Sequence, residues 1–209
     1  MLKMRRTAIV LVLAGICAAN LSAQPDPGAG DLPEAGNTGQ FLDSNTAFYQ
    51  GSAYDYVVYA PAGFVMVIQE PIIDGYSLAF VPETDRYDSC GVMITAVFYD
   101  LARHEKTGQV FEKILSSDTA DMRRHYGENL VFRSVDSVLN ANDEIIPTLY
   151  LEDKTRFIPN VMVSYYDGDT EMLIFELSIG EGYPRFLAEG VYIECLRKFK
   201  RLKHGQLEP

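Results

Sequence analysis

Short runs of β-forming residues, separated by turns rich in Pro and Gly, are the feature that most limits the folds open to this chain. Most neighbouring runs have no helix between them, so strands and helices do not alternate as they do in a parallel sheet. The predicted strands span residues 54–59, 64–69, 76–81, 92–98, 130–138, 145–152, 161–166 and 172–178. This order predicts a mainly antiparallel sheet.

The connections between these runs predict how the strands pair. Ala60-Pro61-Ala62-Gly63 suits a turn and predicts a hairpin between strands 54–59 and 64–69. Strands 76–81 and 92–98 are expected to pair with each other. Asp167-Gly168-Asp169 predicts a tight hairpin between the last two strands, with Gly168 at the positive φ that side chains disfavour.

In two segments the spacing of apolar residues changes from the period of a strand to that of a helix. Residues 109–126 place apolar side chains on one side of a helix, with residues 116–118 as its weakest stretch and Gly127 as its stop. A second helix opens at Pro184 and carries Gly190 in its interior, where we expect close backbone packing. Residues 199–202 predict a short final strand. The fold class is therefore α+β, an antiparallel sheet flanked by two main helices.

Residues 1–23 have the three parts of an export signal in the right order. A basic start precedes an uncharged apolar run, residues 7–19, that is too short for the roughly 30 Å hydrocarbon core of a membrane. Leu21-Ser22-Ala23 fits a cleavage site, so we expect a periplasmic or secreted chain. Two alternatives stay open: an uncleaved anchor helix, and lipidation at Cys17, although Ile16 stands where a lipidation box has a small residue.

The mature chain divides into three parts. Residues 24–46 predict a flexible acidic tether rich in Pro and Gly, residues 47–203 a single globular domain, and residues 204–209 a tail. Without the leader, 15 basic residues stand against 29 acidic ones, a net charge of −14. Nucleic acid is a poor partner for such a chain, because binding it depends on neutralising phosphates with Lys and Arg.

Two surface features could meet a partner. Tyr49, Tyr54, Tyr56 and Tyr59 form a candidate recognition surface, because Tyr joins an apolar ring to a polar tip; half-exposed sheet positions explain the same pattern. The basic stretch 197–204 suits the end of a helix, where cations meet the negative end of the dipole. Contact with anionic lipid headgroups or an acidic partner is its alternative. Membrane association is expected only through this stretch or through lipidated Cys17.

The mature chain holds two cysteines, Cys90 and Cys195. An even pair in an oxidising compartment favours a disulfide between them. Two buried thiols that pack as small apolar groups are the alternative. Neither cysteine has a second ligand at the short spacing that zinc sites use.

The sequence contains no complete catalytic, metal or phosphate-binding motif. His104 begins a zinc-protease helix signature, but Gly108 stands where the second histidine is needed. His125 follows two arginines near a helix end and suits capping. Cys90 could act as a nucleophile with His104 or His125 only if the fold brings them together. No cofactor and no metal site are predicted.

Two segments resemble the PsbP-like families. Tyr59-Ala60-Pro61-Ala62-Gly63-Phe64 is similar to their opening strand and turn, and the helix from Pro184 that runs into Leu196-Arg197-Lys198-Phe199-Lys200-Arg201-Leu202 is similar to their close. The resemblance covers residues 50–203 as an order of elements. It implies an α/β/α sandwich and a non-enzymatic tendency, and no functional residue carries over.

These observations favour an exported, non-catalytic envelope protein of a bacterium, a binding or assembly accessory module whose partner is an envelope protein. One alternative is a hydrolase-type enzyme whose residues converge only in three dimensions. Another is a small-ligand carrier with a pocket between the sheet and the helices.

Cleavage after Ala23 predicts a mature chain that begins at Gln24. Intact-mass and N-terminal peptide mass spectrometry of protein from its native envelope checks this, and also detects a lipid on Cys17. A cytoplasmic chain that keeps Met1 would contradict the export prediction.

Overall fold

Two antiparallel sheets and two helices make up the described part of the chain, which in the computed structural model is residues 39–43, 45–72, 75–86, 89–101 and 107–206. The strands of the smaller sheet are β1 (Gly39–Asp43), β2 (Thr46–Gln50), β3 (Tyr54–Tyr59) and β11 (Lys200–Lys203). They lie in the order β1-β2-β3-β11, and each neighbouring pair is antiparallel.

The larger sheet forms the centre of the molecule. Its strands are β4 (Phe64–Ile72), β5 (Gly75–Pro82), β6 (Val92–Asp100), β7 (Leu130–Leu139), β8 (Ile145–Asp153), β9 (Asn160–Asp167) and β10 (Glu171–Ile179). They lie in the order β4-β5-β6-β10-β9-β8-β7. Helix α1 (Thr107–Tyr126) carries the chain from β6 to the far edge at β7, and helix α2 (Arg185–Lys198) follows β10. The α+β fold class is confirmed.

Each face of the larger sheet packs against a different helix. Alternate residues of β6 point to opposite faces, so Ile94 and Phe98 join one cluster while Val97 and Tyr99 join another. The first cluster includes α2 and the smaller sheet, and we call this side the α2 face. The second includes the described end of α1, and we call that side the α1 face.

Burial on both faces makes β6 and β10 the centre of the core. All nine residues of each strand are buried, and the two strands pair along their whole length. A polar side chain on either strand therefore has to find a partner inside the protein or remain without one.

The predicted hairpin between β3 and β4 is wrong. The turn exists, with Gly63 at φ 77° and a hydrogen bond from the Phe64 amide to Pro61 O at 3.1 Å. However, β3 pairs with β2 and β11, whereas β4 pairs with β5. The turn thus passes the chain from one sheet to the other. The predicted pairing of β5 with β6 is confirmed.

Strand pairing and hydrogen bonds extend beyond both ends of residues 47–203, the predicted globular domain. Strand β1 lies inside residues 24–46, the predicted tether, and pairs with β2 from Gly39↔Tyr49 to Asp43↔Thr46. At the other end, His204 of the predicted tail bonds back to Asp55 and to Ser52 O. The predicted final strand is confirmed as β11.

The hairpin from β9 to β10 is confirmed, but Gly168 has a different role from the one predicted. The positive φ, 71°, belongs to Asp169, whose amide donates to Asp167 Oδ1 at 3.1 Å. A Cβ on Gly168 would overlap the Tyr56 hydroxyl and would lie 3.0 Å from Glu171 O. Gly168 is therefore required for close packing between the two sheets.

Both predicted helices are present. The amide of Gly127, at φ 94°, donates to Arg123 O at 2.7 Å and ends α1 as expected. The close packing expected at Gly190 is absent, because an added Cβ would meet nothing within 4 Å.

The outer edge of β11 is closed by a side chain. Asn142, in the turn between β7 and β8, accepts a bond from the Arg201 amide at 2.8 Å and donates one to Arg201 O at 2.9 Å. The Asn142 carboxamide makes two hydrogen bonds with Arg201 of the kind that a neighbouring strand would make. These bonds join the larger sheet to the smaller one.

Gly168→Ala is expected to lower the unfolding free energy by about 2 kcal/mol, because the new methyl group overlaps Tyr56 in a packed core. Gly190→Ala is the matched control and is expected to raise it by about 0.5–1 kcal/mol, since the site is open and Ala favours a helix. Urea denaturation of both variants measures the difference. Equal effects of the two substitutions would refute the packing role of Gly168.

Candidate functional site

Over residues 116–126, helix α1 meets the sheet through a single row of side chains. Asp118, Met122 and Tyr126 are buried and lie four residues apart, so they share one face of the helix. One of these three contacts is a carboxyl group. Residues 116–118, the weakest stretch in the helical pattern, therefore contain a buried polar contact.

Asp118 bonds to the sheet through a tyrosine. Tyr165 of β9 is fully buried on the α1 face, and its hydroxyl donates to Asp118 Oδ2 at 3.2 Å. Burial raises the pKa of Asp118 to about 7; the charge of Asp121 adds to the rise, and the Tyr165 hydrogen bond opposes it.

A second carboxyl group lies on the same face without a hydrogen-bonding partner. Glu176 of β10 is 5% exposed. It lies two residues after Ile174 and four after Met172, so it points to the same α1 face as they do. Its carboxyl group forms no hydrogen bond or ion pair with any described residue. Burial, and then the charge of Asp118, raise its pKa to about 8.

The hydroxyl of Tyr126 completes this buried acid site, which we define as Asp118, Tyr126, Tyr165 and Glu176. It is buried and has no hydrogen-bond partner, and burial raises its pKa, with the charge of Glu176 as the next cause. Two carboxyl groups with pKa values near neutrality can hold and release protons. Because all four residues are buried, their protonation is coupled to the packing of α1 on the sheet.

Sequence reasoning missed this site, although it leaves a signal. Glu176 interrupts a row of apolar residues on a strand that is otherwise typical of a core, and Asp118 takes a helix position in register with Met122 and Tyr126. A charged residue in an apolar row is the informative observation.

A second polar cluster lies where the smaller sheet meets β10, and it is fully bonded. Glu171 is buried and accepts bonds from the Ser52 amide, from Ser52 Oγ at 2.6 Å, from the Tyr56 hydroxyl at 2.9 Å and from Thr170 Oγ1 at 2.6 Å. Such a carboxylate stabilises the join between the sheets and is not available to a ligand.

His204 belongs to the same region and does not form a catalytic triad. Its Nδ1 lies 2.9 Å from Asp55 Oδ1 and its Nε2 lies 3.1 Å from Ser52 O. Both ring nitrogens therefore face acceptors, and the Ser52 carbonyl followed by Asp55 raises the histidine pKa. The Ser52 hydroxyl donates to Glu171 instead, so no base is positioned to activate it.

The predicted tyrosine recognition surface is wrong for half of its members. Tyr49 and Tyr56 are buried in the α2-face cluster, because alternation on β2 and β3 turns them inward. Tyr54 and Tyr59 are half-buried, with Arg201 4.4 Å above the first ring and Lys200 5.6 Å above the second. Part of the predicted basic stretch is thus used within the protein.

The predicted disulfide between Cys90 and Cys195 is absent: both cysteines are buried, and neither is bonded to another cysteine. Cys90 packs with Val81 and Met93, residues that point away from the α2 face, whereas Cys195 belongs to the α2-face cluster. The larger sheet separates them. The Cys195 thiol donates to Tyr59 O at 3.6 Å, and burial raises its pKa to about 12.

The predicted nucleophile and its bases are not assembled among the described residues. Cys90 is buried, whereas His125 is exposed at the end of α1 with its ring 4.6 Å from that of Tyr126. His104 and Cys17 lie outside the described residues.

Glu176→Gln is expected to flatten the dependence of stability on pH. A carboxyl group with a raised pKa stabilises the fold fully below its ordinary value near 4.5 and loses that contribution as the pH rises to about 8. The variant should gain on the order of 2 kcal/mol relative to wild type between pH 4.5 and pH 8.5. Urea denaturation across this range measures it, with exposed Glu181→Gln as control. Parallel curves for Glu176→Gln and wild type would contradict the assignment.

No group of three or more His, Cys, Asp or Glu side chains within the described residues is arranged to hold a metal ion. Neither helix, over the residues that can be described, is long and apolar enough to cross a membrane. Comparison of the chain with protein-family models, curated proteins and solved structures finds no match.

Proposed function

We propose that this chain is an exported, non-catalytic module of a bacterial envelope, and that it binds a protein partner or assists its assembly. The export signal at residues 1–23 and the acidic composition of the rest support the compartment. Cys90 is buried and His125 is exposed, which weighs against the hydrolase alternative.

An apolar patch at one corner of the molecule carries the proposal. Phe186 is 73% exposed and Leu187 is 51% exposed in the first turn of α2, and Val131 of β7 is 39% exposed. Seven large apolar side chains of the described chain are exposed, and Phe186 is the most exposed of them, so the first turn of α2 is the strongest candidate for a contact surface.

The contacts of Arg185 bring the first turn of α2 near the strand that carries Val131. Arg185 Nη2 donates to Leu151 O at 3.1 Å, and its guanidinium lies 4.8 Å above the Tyr150 ring, so α2 begins over β8. Leu151 pairs with Phe132, the neighbour of Val131. Because Phe132 points to the α1 face, Val131 points to the α2 side, where Phe186 and Leu187 lie.

The edge of β7 suggests which kind of segment binds. β7 is a terminal strand of the larger sheet, and no other described strand pairs with its outer edge. Its free backbone groups can bond to an extended segment, while Val131 and Phe186 receive apolar side chains from that segment. We infer that the partner is an envelope protein that presents an extended apolar segment.

We further propose that the fold is PsbP-like. The position of α1 and α2 on opposite faces of one antiparallel sheet supports this, because it agrees with the α/β/α sandwich that the resemblance implies.

A photoreactive amino acid in place of Phe186 is expected to crosslink to one discrete partner in the native envelope, whereas the same group at exposed Glu181 should not. Leu187→Asp should weaken binding of that purified partner by about tenfold or more, because it places a charge in an apolar contact. Its unfolding free energy should change by less than about 0.5 kcal/mol, since the residue is exposed.

Calorimetry measures the affinity of the partner identified by crosslinking for wild type and for Leu187→Asp. Equal affinities, or crosslinks that form equally at Phe186 and Glu181, would overturn the proposed contact surface.

A further inference from the structure

The two helices are held on the sheet by different kinds of contact. α2 buries Ala188, Tyr192, Cys195 and Leu196, and the Tyr192 hydroxyl lies 2.7 Å from Ser164 Oγ and 2.8 Å from Phe175 O. Over residues 116–126, α1 buries one row of side chains. Asp118 is the sole residue of this described row with a hydrogen bond to the sheet. A change in the charge of Asp118 therefore affects α1 and leaves the contacts of α2 in place.

Glu176 adds a second acid beneath the same helix. It lies on the central strand β10, between Thr95 of β6 and Val163 of β9, and neither neighbour carries a charge. Its carboxyl group has no bonded partner among the described residues, so nothing there stabilises its ionised form.

We propose that α1 is a pH-responsive cover on the sheet, closed while Asp118 and Glu176 are protonated and released when both carry negative charge. Two carboxylates in one buried contact, with no described cation bonded to either, repel each other and require water, and movement of the helix away from the sheet supplies that water.

The groups around the two acids favour this response. Asp121 and Tyr126 lie on α1 and Tyr165 on β9, and none of them is a cation. Tyr192 lies across the sheet on α2. Two nearby cations are already paired with other carboxylates: Arg156 with Asp153 at 3.1 Å and Arg124 with Asp121 at 2.6 Å.

Raised pKa values place the release near neutral pH. The pKa values of about 7 for Asp118 and about 8 for Glu176 leave both groups mostly neutral at pH 5.5 and mostly ionised above pH 8.5. Release uncovers Tyr165, Met172 and Ile174, which form an apolar surface on the α1 face.

Hydrogen exchange of the full-length mature chain tests the inference without any partner, so it stands apart from the proposed function. Exchange is followed by mass spectrometry at pH 5.5 and pH 8.5 and corrected for the intrinsic effect of pH. Peptides from residues 116–126 are expected to lose protection by about tenfold or more at pH 8.5, while peptides from α2 change by less than about threefold.

Variants connect the loss of protection to the two acids. The double variant Asp118→Asn, Glu176→Gln should keep α1 protected at pH 8.5, and Glu181→Gln should behave as wild type. If the double variant fails to fold, Glu176→Gln alone should reduce the loss by about threefold or more. Protection of α1 that does not change with pH, an equal loss in α2, or a wild-type response in Glu176→Gln would each overturn the proposal.

Discussion

The burial of β10 on both faces is the constraint on which the rest of the structure depends. Every side chain on this strand faces protein, so a polar group cannot turn toward solvent as it can on an edge strand. The strand nevertheless carries two glutamates. Glu171 points to the α2 face and Glu176 to the α1 face, because side chains at odd and even positions of a strand point to opposite faces of the sheet. The protein accommodates these two residues in opposite ways.

The Glu171 side chain accepts hydrogen bonds from donors on β3, on the loop before β3 and in its own hairpin. Those bonds join the smaller sheet to the larger one, and the missing side chain of Gly168 allows Tyr56 to approach. Glu176 has no donor of this kind and is stable in the core as a neutral acid. One side of the central strand is therefore fixed by hydrogen bonds, while the other side keeps a group whose charge depends on pH.

The sequence predicts elements with local signals well and contacts between distant segments poorly. The β9–β10 hairpin, the stop of α1 at Gly127 and strand β11 each depend on a few neighbouring residues, and each is confirmed. The turn at Gly63 is also local, but the strands it separates choose partners that lie far away in the chain. Likewise, Tyr56 and Cys195 are buried because of which face they take, and no window around either residue shows that. The buried acid site needs residues from α1, β9 and β10, so Asp118 and Glu176 appear in the sequence only as departures from an apolar pattern.

The side chain of Asn142 limits how copies of this chain can associate. Open strand edges invite polymerisation and the exchange of strands between copies, and a short four-residue strand at the end of a sheet is a weak barrier to either. The backbone N–H and C=O groups of Arg201 are already bonded to the Asn142 carboxamide, so they cannot pair with a strand of another copy. An insertion or deletion in the turn that holds Asn142 would remove these two bonds and would leave the backbone groups of Arg201 open to a strand from another copy.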